Sequence, residues 1–213
     1  MIQILFEGLV RTMREYVSEK KKYFQTLQDI EQRWEYSDQK KNELKANAEA
    51  EFSAKKEQYI KKFTNNTEQI KKAFKDKQKD FRLDNMALNN AILFIANVGK
   101  KKDSDFSIAP ELIENIASEF IGDTRSLNML LNIAESNGLS KTSLDGIRKF
   151  VYSDAELDAV LEKFINALDG GTIVDYVAIN LNKVAYKCNI KLDYEVHDEI
   201  GHTAFIGKVM GLN

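Results

Sequence analysis

Apolar positions in the first part of the chain fall into helical periods. From Met13 they recur at alternating spacings of three and four, at Met13, Tyr16, Tyr23, Leu27, Ile30 and Trp34. Lys20 takes the one seam position without an apolar side chain. This is a heptad seam, and a lysine within it costs stability while setting register or oligomer state. From Phe52 the period changes. Phe52, Phe63 and Phe74 are eleven apart, as are Tyr59, Ile70 and Phe81. Eleven residues in three turns is close to the unstrained helical period, so this second seam predicts a straight or slightly right-handed packing surface. Its aromatic spacing suits core packing better than a base-stacking ladder.

No glycine or proline occurs from Leu9 to Val98. The strongest helix breakers are therefore missing over a stretch that, as one helix, would be about 135 Å long. Residues 35–51 carry few large apolar side chains, Tyr36 and Leu44 being the exceptions. There the helix either runs exposed or folds back, and Ser37-Asp38 or Asn65-Asn66-Thr67 offers a polar cap for a new start. A continuous rod is the leading expectation and an antiparallel hairpin the alternative.

Beyond Gly99 helix punctuation becomes regular. Pro110 opens a helix stopped at Gly122, and Asp123 or Thr124 caps one ending at Gly138. Ser143 starts a short helix. Ser153-x-x-Glu156 reads as a capping box opening Asp154–Leu168, closed by Gly170-Gly171, and Thr172 caps a helix to about Asn189. After Asn189 the period drops to two: Ile190, Leu192, Tyr194 and Val196 point one way, which predicts a strand or an extended arm. The expected organisation is all-α: a long coiled-coil helix or hairpin over 1–98, a linker over 99–109, a small helical bundle over 110–189 packed with 86–98, and an extended arm over 190–213. The apolar N-terminus lacks a basic leader segment and carries Glu7, so it reads as a packing or partner-binding segment rather than a signal peptide. No apolar run reaches the length of a membrane span.

Charge adds an asymmetry. Of the 213 residues, 1–100 hold 20 Lys and Arg against 15 Asp and Glu, while 101–213 hold 11 against 18. The rod is basic and the remainder acidic. Residues 55–82 are the most basic stretch, with ten Lys and Arg against four acids. Lys61, Lys62, Lys71 and Lys72 are the candidate contacts to nucleic acid. These lysines also suit the solvated face of a helix, and the stretch lacks the arginine forks that read bases.

Candidate chemistry is sparse. The single cysteine, Cys188, forms no intrachain disulfide and reads as a core thiol. The two histidines, His197 and His202, are five apart across Gly201, the wrong spacing for a zinc helix. No phosphate loop or nucleophile elbow is present. The expectation is a non-enzyme without a metal or cofactor.

A charged, proline-poor helical rod followed by a small helical domain resembles tailed-phage head-assembly proteins of the scaffolding kind. The segments Asn85-Met-Ala-Leu-Asn-Asn-Ala-Ile-Leu-Phe-Ile-Ala-Asn97 and Ser126-Leu-Asn-Met-Leu-Leu-Asn-Ile-Ala-Glu-Ser-Asn-Gly138 carry this likeness. The resemblance implies a structural protein that self-associates and docks a coat or portal component, in a host cytoplasm or a virion. Scaffolding proteins often end in a basic coat-binding helix, whereas this C-terminal part is acidic, so no docking residue is carried over. The expected self-association surface is the two seams: Met13, Tyr16, Lys20, Tyr23, Leu27, Ile30, Trp34, Phe52, Tyr59, Phe63, Ile70 and Phe74.

Overall fold

Polar capping, without glycine or proline, breaks the long helical stretch. In the computed structural model, which describes residues 1–80, 85–100 and 110–202, helix α1 runs Ile2–Gln32 and helix α2 runs Asp38–Asp80. Arg33 leaves the helical region at φ −78°, ψ 96°, and the Tyr36 amide donates to the Arg33 carbonyl to close a turn. The Ser37 hydroxyl then accepts from the Lys40 amide at 3.3 Å, capping α2. The chain reverses here. Lys45 pairs with Glu31 at 2.6 Å, Lys55 with Glu19 at 2.6 Å and Lys62 with Glu15 at 3.3 Å. Each step forward along α2 is a step back along α1, so the two form an antiparallel hairpin, and the continuous rod is not formed.

Six longer helices follow, α3 (Asn85–Lys100), α4 (Pro110–Ser118), α5 (Thr124–Ser136), α6 (Lys141–Arg148), α7 (Asp154–Leu168) and α8 (Val174–Lys187), and then a single helical turn over 199–202. The all-α expectation holds; no strand occurs among the described residues. Asp123 caps α5 by accepting from the Ser126 amide, and Gly138 follows that helix with φ +69°. The cap of α6 is Ser140, three residues before the expected Ser143, because the Ser140 hydroxyl takes the Ser143 amide. Helix α7 has the predicted bounds, but its box is half made. The Ser153 hydroxyl accepts from the Ala155 amide, while the Glu156 carboxylate is turned to Lys187 at 2.6 Å.

The chain divides into two compact units that are not the consecutive segments expected. The first is built from Met1–Ile70, Leu157–Asn182 and the stretch beginning at Leu192; the second from Lys71–Glu156 and Lys183–Lys191. The first unit departs from a free-standing rod because the hairpin has more apolar surface than its two helices cover. Phe6, Leu9, Met13, Phe63 and Ile70 are all fully buried, and Phe63 stacks on Phe164 of α7 at 4.3 Å. Residues 190–198 are extended and irregular. Their burial alternates as predicted, with Leu192 and Val196 covered and Lys191, Asp193 and Glu195 exposed. No partner strand is required: Arg14 on α1 donates to the carbonyls of Glu195 at 3.0 Å and Asp193 at 3.4 Å.

The second unit has its core where α3, α5, α4 and α6 meet, around Leu88, Ile95, Ile113, Leu127, Leu130 and Ile147. Here the expectation that 86–98 packs with the later helices is met. Phe74 at the end of α2 lies 4.4 Å from the Tyr152 ring. The expected linker begins inside α3, which extends to Lys100; 101–109, Phe81 and the arm beyond His202 lie outside the described residues. No helix among the described residues is long and apolar enough to cross a membrane.

Candidate functional site

Part of each seam read from the sequence meets the other inside the first unit. In the first unit Tyr16 lies 6.1 Å from Phe52, 5.9 Å from Tyr59 and 6.1 Å from Phe164, and its hydroxyl reaches the Leu168 carbonyl at 3.5 Å. Tyr23 stacks on Phe52 at 4.4 Å with the rings almost parallel. Met13 and Ile30 are buried, and Leu27 is half-buried. Tyr16 and Tyr23 of the expected surface thus meet α2, and Tyr16 and Phe63 meet α7, since a chain that folds back can satisfy its own seam at no cost in translational freedom. Burial holds the Tyr16 phenol far above its usual range, with Asp198 and Asp169 adding to the effect. Burial also raises Tyr23 and Tyr59.

Lys20, the polar seam position, is the centre of a buried network. Its ammonium contacts both carboxylate oxygens of Asp198, at 3.1 and 2.9 Å. Asp198 Oδ1 also accepts from the Gly201 amide at 2.8 Å, capping the single helical turn at 199–202. A Cβ at Gly201 would overlap the Asp198 carboxylate, so only glycine allows this approach. The Asp198 amide donates to Asp175 Oδ1 at 2.9 Å, and Asp175 Oδ2 faces His202 Nε2 at 3.1 Å. Asp198 is missing from the sequence-derived set, although a signal for it exists. It falls two residues after Val196, on the buried phase of the alternating segment, and a lysine in an apolar seam requires a buried acid.

Beside this network the first unit has an open cleft of about 300 Å³. It is lined by the aromatic residues Tyr16, Tyr23, Phe24 and Phe52 and by Lys20 and Lys56. Glu49 and Asp169 also line it, as do the hydroxyl residues Ser53 and Thr172. Lys56 sits 5.4 Å from the Phe52 ring centre and 4.0 Å from Asp169, whose side chain is mostly exposed.

Trp34 differs from the rest of the seam. It lies in the turn of the hairpin, 91% exposed. Its neighbours hold the turn: the Arg33 guanidinium lies over the Tyr36 ring at 5.5 Å and donates to its hydroxyl at 3.1 Å.

The basic stretch is partly neutralised within its own units. Lys55, Lys56 and Lys62 face Glu19, Asp169 and Glu15 in the first unit, and Lys75 pairs with Asp154 at 3.0 Å in the second. Lys22 and Lys55 together hold the Glu19 carboxyl down to about 2. Of the four candidate nucleic-acid contacts, Lys62 is in an ion pair, Lys61 and Lys72 are exposed on α2, and Lys71 is half-buried. Cys188 is buried in the second unit, and burial pushes its thiol up to about 12. No family model, curated protein or solved structure matches the chain.

Proposed function

We propose that this chain is a non-enzymatic structural protein that acts through protein–protein contact. In this reading it self-associates through the tip of the α1–α2 hairpin and docks a second protein through its C-terminal helices. The phage head-assembly proteins it resembles supply the setting, with a coat or portal component as the second protein. The observation that carries the reading is Trp34, 91% exposed on a turn whose flanking residues are held by Arg33 and Tyr36. Tryptophan is among the side chains most enriched at the energetic centres of protein–protein interfaces. The tip also presents both signs of charge, Glu31, Arg33, Glu35, Lys40 and Lys41, which suits a self-complementary two-fold contact. The nucleic-acid alternative has less support, because Lys55, Lys56, Lys62 and Lys75 each face a carboxylate of the same chain.

The chain has a single tryptophan, so its fluorescence reports on position 34 alone. Sedimentation equilibrium should give a multiple of the 24.4 kDa chain mass, with the emission maximum moving to the blue as concentration rises. Trp34→Ser should return the mass to that of one chain. A chain that stays monomeric at all concentrations, with red emission throughout, would sink the self-association reading.

A further inference from the structure

The stretch that follows Leu192 is fastened to the first unit by side chains. Residues 191–201 make no backbone-to-backbone hydrogen bond to another element among the described residues. Arg14 of α1 donates to the carbonyls of Glu195 and Asp193 and pairs with the Asp193 carboxylate at 3.2 Å. Lys20, further along α1, holds Asp198. Asp175 of α8 accepts from the Asp198 amide and faces His202. The apolar contribution is small: Leu192 and Val196 are buried, Tyr194 and Ile200 only partly. Helix α8 does not need this stretch in order to end. The Asn189 amide bonds to the Tyr186 carbonyl and the Ile190 amide to that of Ala185, with Asn189 at φ +58°, so the helix is stopped by its own turn.

Detaching residues 192–202 breaks little that water does not replace. Lys20 and Asp198 would leave the buried site together, so neither charge is stranded, and hydration returns much of what their burial cost. The carbonyls held by Arg14, whose side chain is already half-exposed, turn to water. The freed backbone regains conformational entropy. The hairpin keeps the contacts that hold it, Tyr16 against Phe52 and Tyr59 and Phe63 against Phe164.

We infer that residues 192–202 form a strap that opens and closes as a unit on an otherwise folded chain, latched by the Lys20–Asp198 pair. Opening releases Arg14 and Lys20 on α1 and presents an extended segment with Leu192 and Val196 uncovered. The same latch accounts for a lysine in an apolar seam. Removing either partner strands the other only while the strap is closed, so the strained chain relieves itself by letting the strap go. This device is separate from the hairpin tip, and either reading can fail alone.

Hydrogen exchange of the full native chain, followed by NMR in rising sub-denaturing urea, tests the strap. The reporters are the amides of Asp198 and Gly201, which donate to carboxylates, compared with the helical amides of Met13 and Phe63. Protection of the strap amides should be lower by about a hundredfold or more and should depend only weakly on urea, because a small opening exposes little surface. Phe164→Ala should lower protection at Met13 and Phe63 by about a hundredfold or more and leave Asp198 and Gly201 unchanged, since it weakens the open and closed forms alike. Gly201→Ala, whose new Cβ would press on the Asp198 carboxylate, should lower protection at Asp198, Met13 and Phe63 by one common factor, because only the closed form is destabilised. Strap amides as protected as Met13 and Phe63, an equally steep urea dependence, or strap amides that follow Phe164→Ala would overturn the assignment.

Discussion

The ammonium of Lys20 lies within 3.1 Å of both carboxylate oxygens of Asp198, a residue 178 positions further along the chain. Both residues are buried: Lys20 is 8% exposed and Asp198 1%. Removing one partner leaves an uncompensated buried charge, so Lys20→Met and Asp198→Asn should each cost about 3–5 kcal/mol. The double variant should cost clearly less than the two combined, because no charge is left stranded. Denaturant unfolding of the four proteins gives the coupling, and strict additivity would show that the pair is not energetically linked.

Phe164 on α7 touches both arms of the hairpin, stacking on Phe63 at 4.3 Å and meeting Tyr16 edge-on at 6.1 Å. It is fully buried. Phe164→Ala should cost about 3–5 kcal/mol. Trp34→Ala, on an exposed turn, should change the stability of the isolated chain by no more than about 0.5 kcal/mol. Urea midpoints measured under one condition separate the two.

Gly122 and Gly170 both have positive φ, at +89° and +75°, but their surroundings differ. A side chain at 122 would come within 2.8 Å of the Asn189 Cβ and 3.3 Å of the Cys188 carbonyl, whereas nothing lies within 4 Å at 170. Gly170→Ala should therefore carry only the left-handed penalty of about 1–2 kcal/mol. Gly122→Ala should cost more, because Asn189 or the backbone at Cys188 has to move. Equal losses in thermal unfolding would contradict this contrast.

The Cys188 thiol has its pKa raised from an ordinary 9.0 to about 12 by burial. Below pH 9 it is protonated in both the folded and unfolded chain, and the stability associated with its burial is complete. As pH rises from 9 toward 12 the unfolded chain ionises while the folded one does not, so stability falls by up to about 1.4 kcal/mol per pH unit from this group. Tyr16, Tyr23 and Tyr59 are shifted in the same direction, so they add to the alkaline loss. At pH 8 the native thiol should be almost inert to a disulfide reagent and react at once in denaturant. Fast native labelling would show that Cys188 is reachable.

Local chemistry was the most legible part of the sequence. Asp123, Ser153 and Gly138 act within a few residues of where they stand, so caps and stops could be read from spacing. The chain reversal was harder. Ser37 was a visible cap, but nothing local decides whether a capped break bends or continues, and the decision belongs to the apolar faces that meet. The two periodicities mark residues that meet within the chain, Tyr16 and Tyr23 on α1 with Phe52 on α2. Tyr16 and Phe52 lie 36 positions apart, and a periodic seam carries no label saying whether its complement is on another chain. The cleft was not legible at all, because α1, α2 and the turn after α7 each contribute a few side chains to it.

The first unit opens with α1 and is closed only by α7, α8 and the stretch from Leu192. On a ribosome the hairpin emerges and then waits while the 86 residues of Lys71–Glu156 are made, which takes several seconds at about 5–20 residues per second. During that interval Phe63 lacks the Phe164 ring on which it stacks in the finished unit. The first unit is thus completed only when the last third of the chain has been made, and its core closes in order of synthesis from the hairpin to α7.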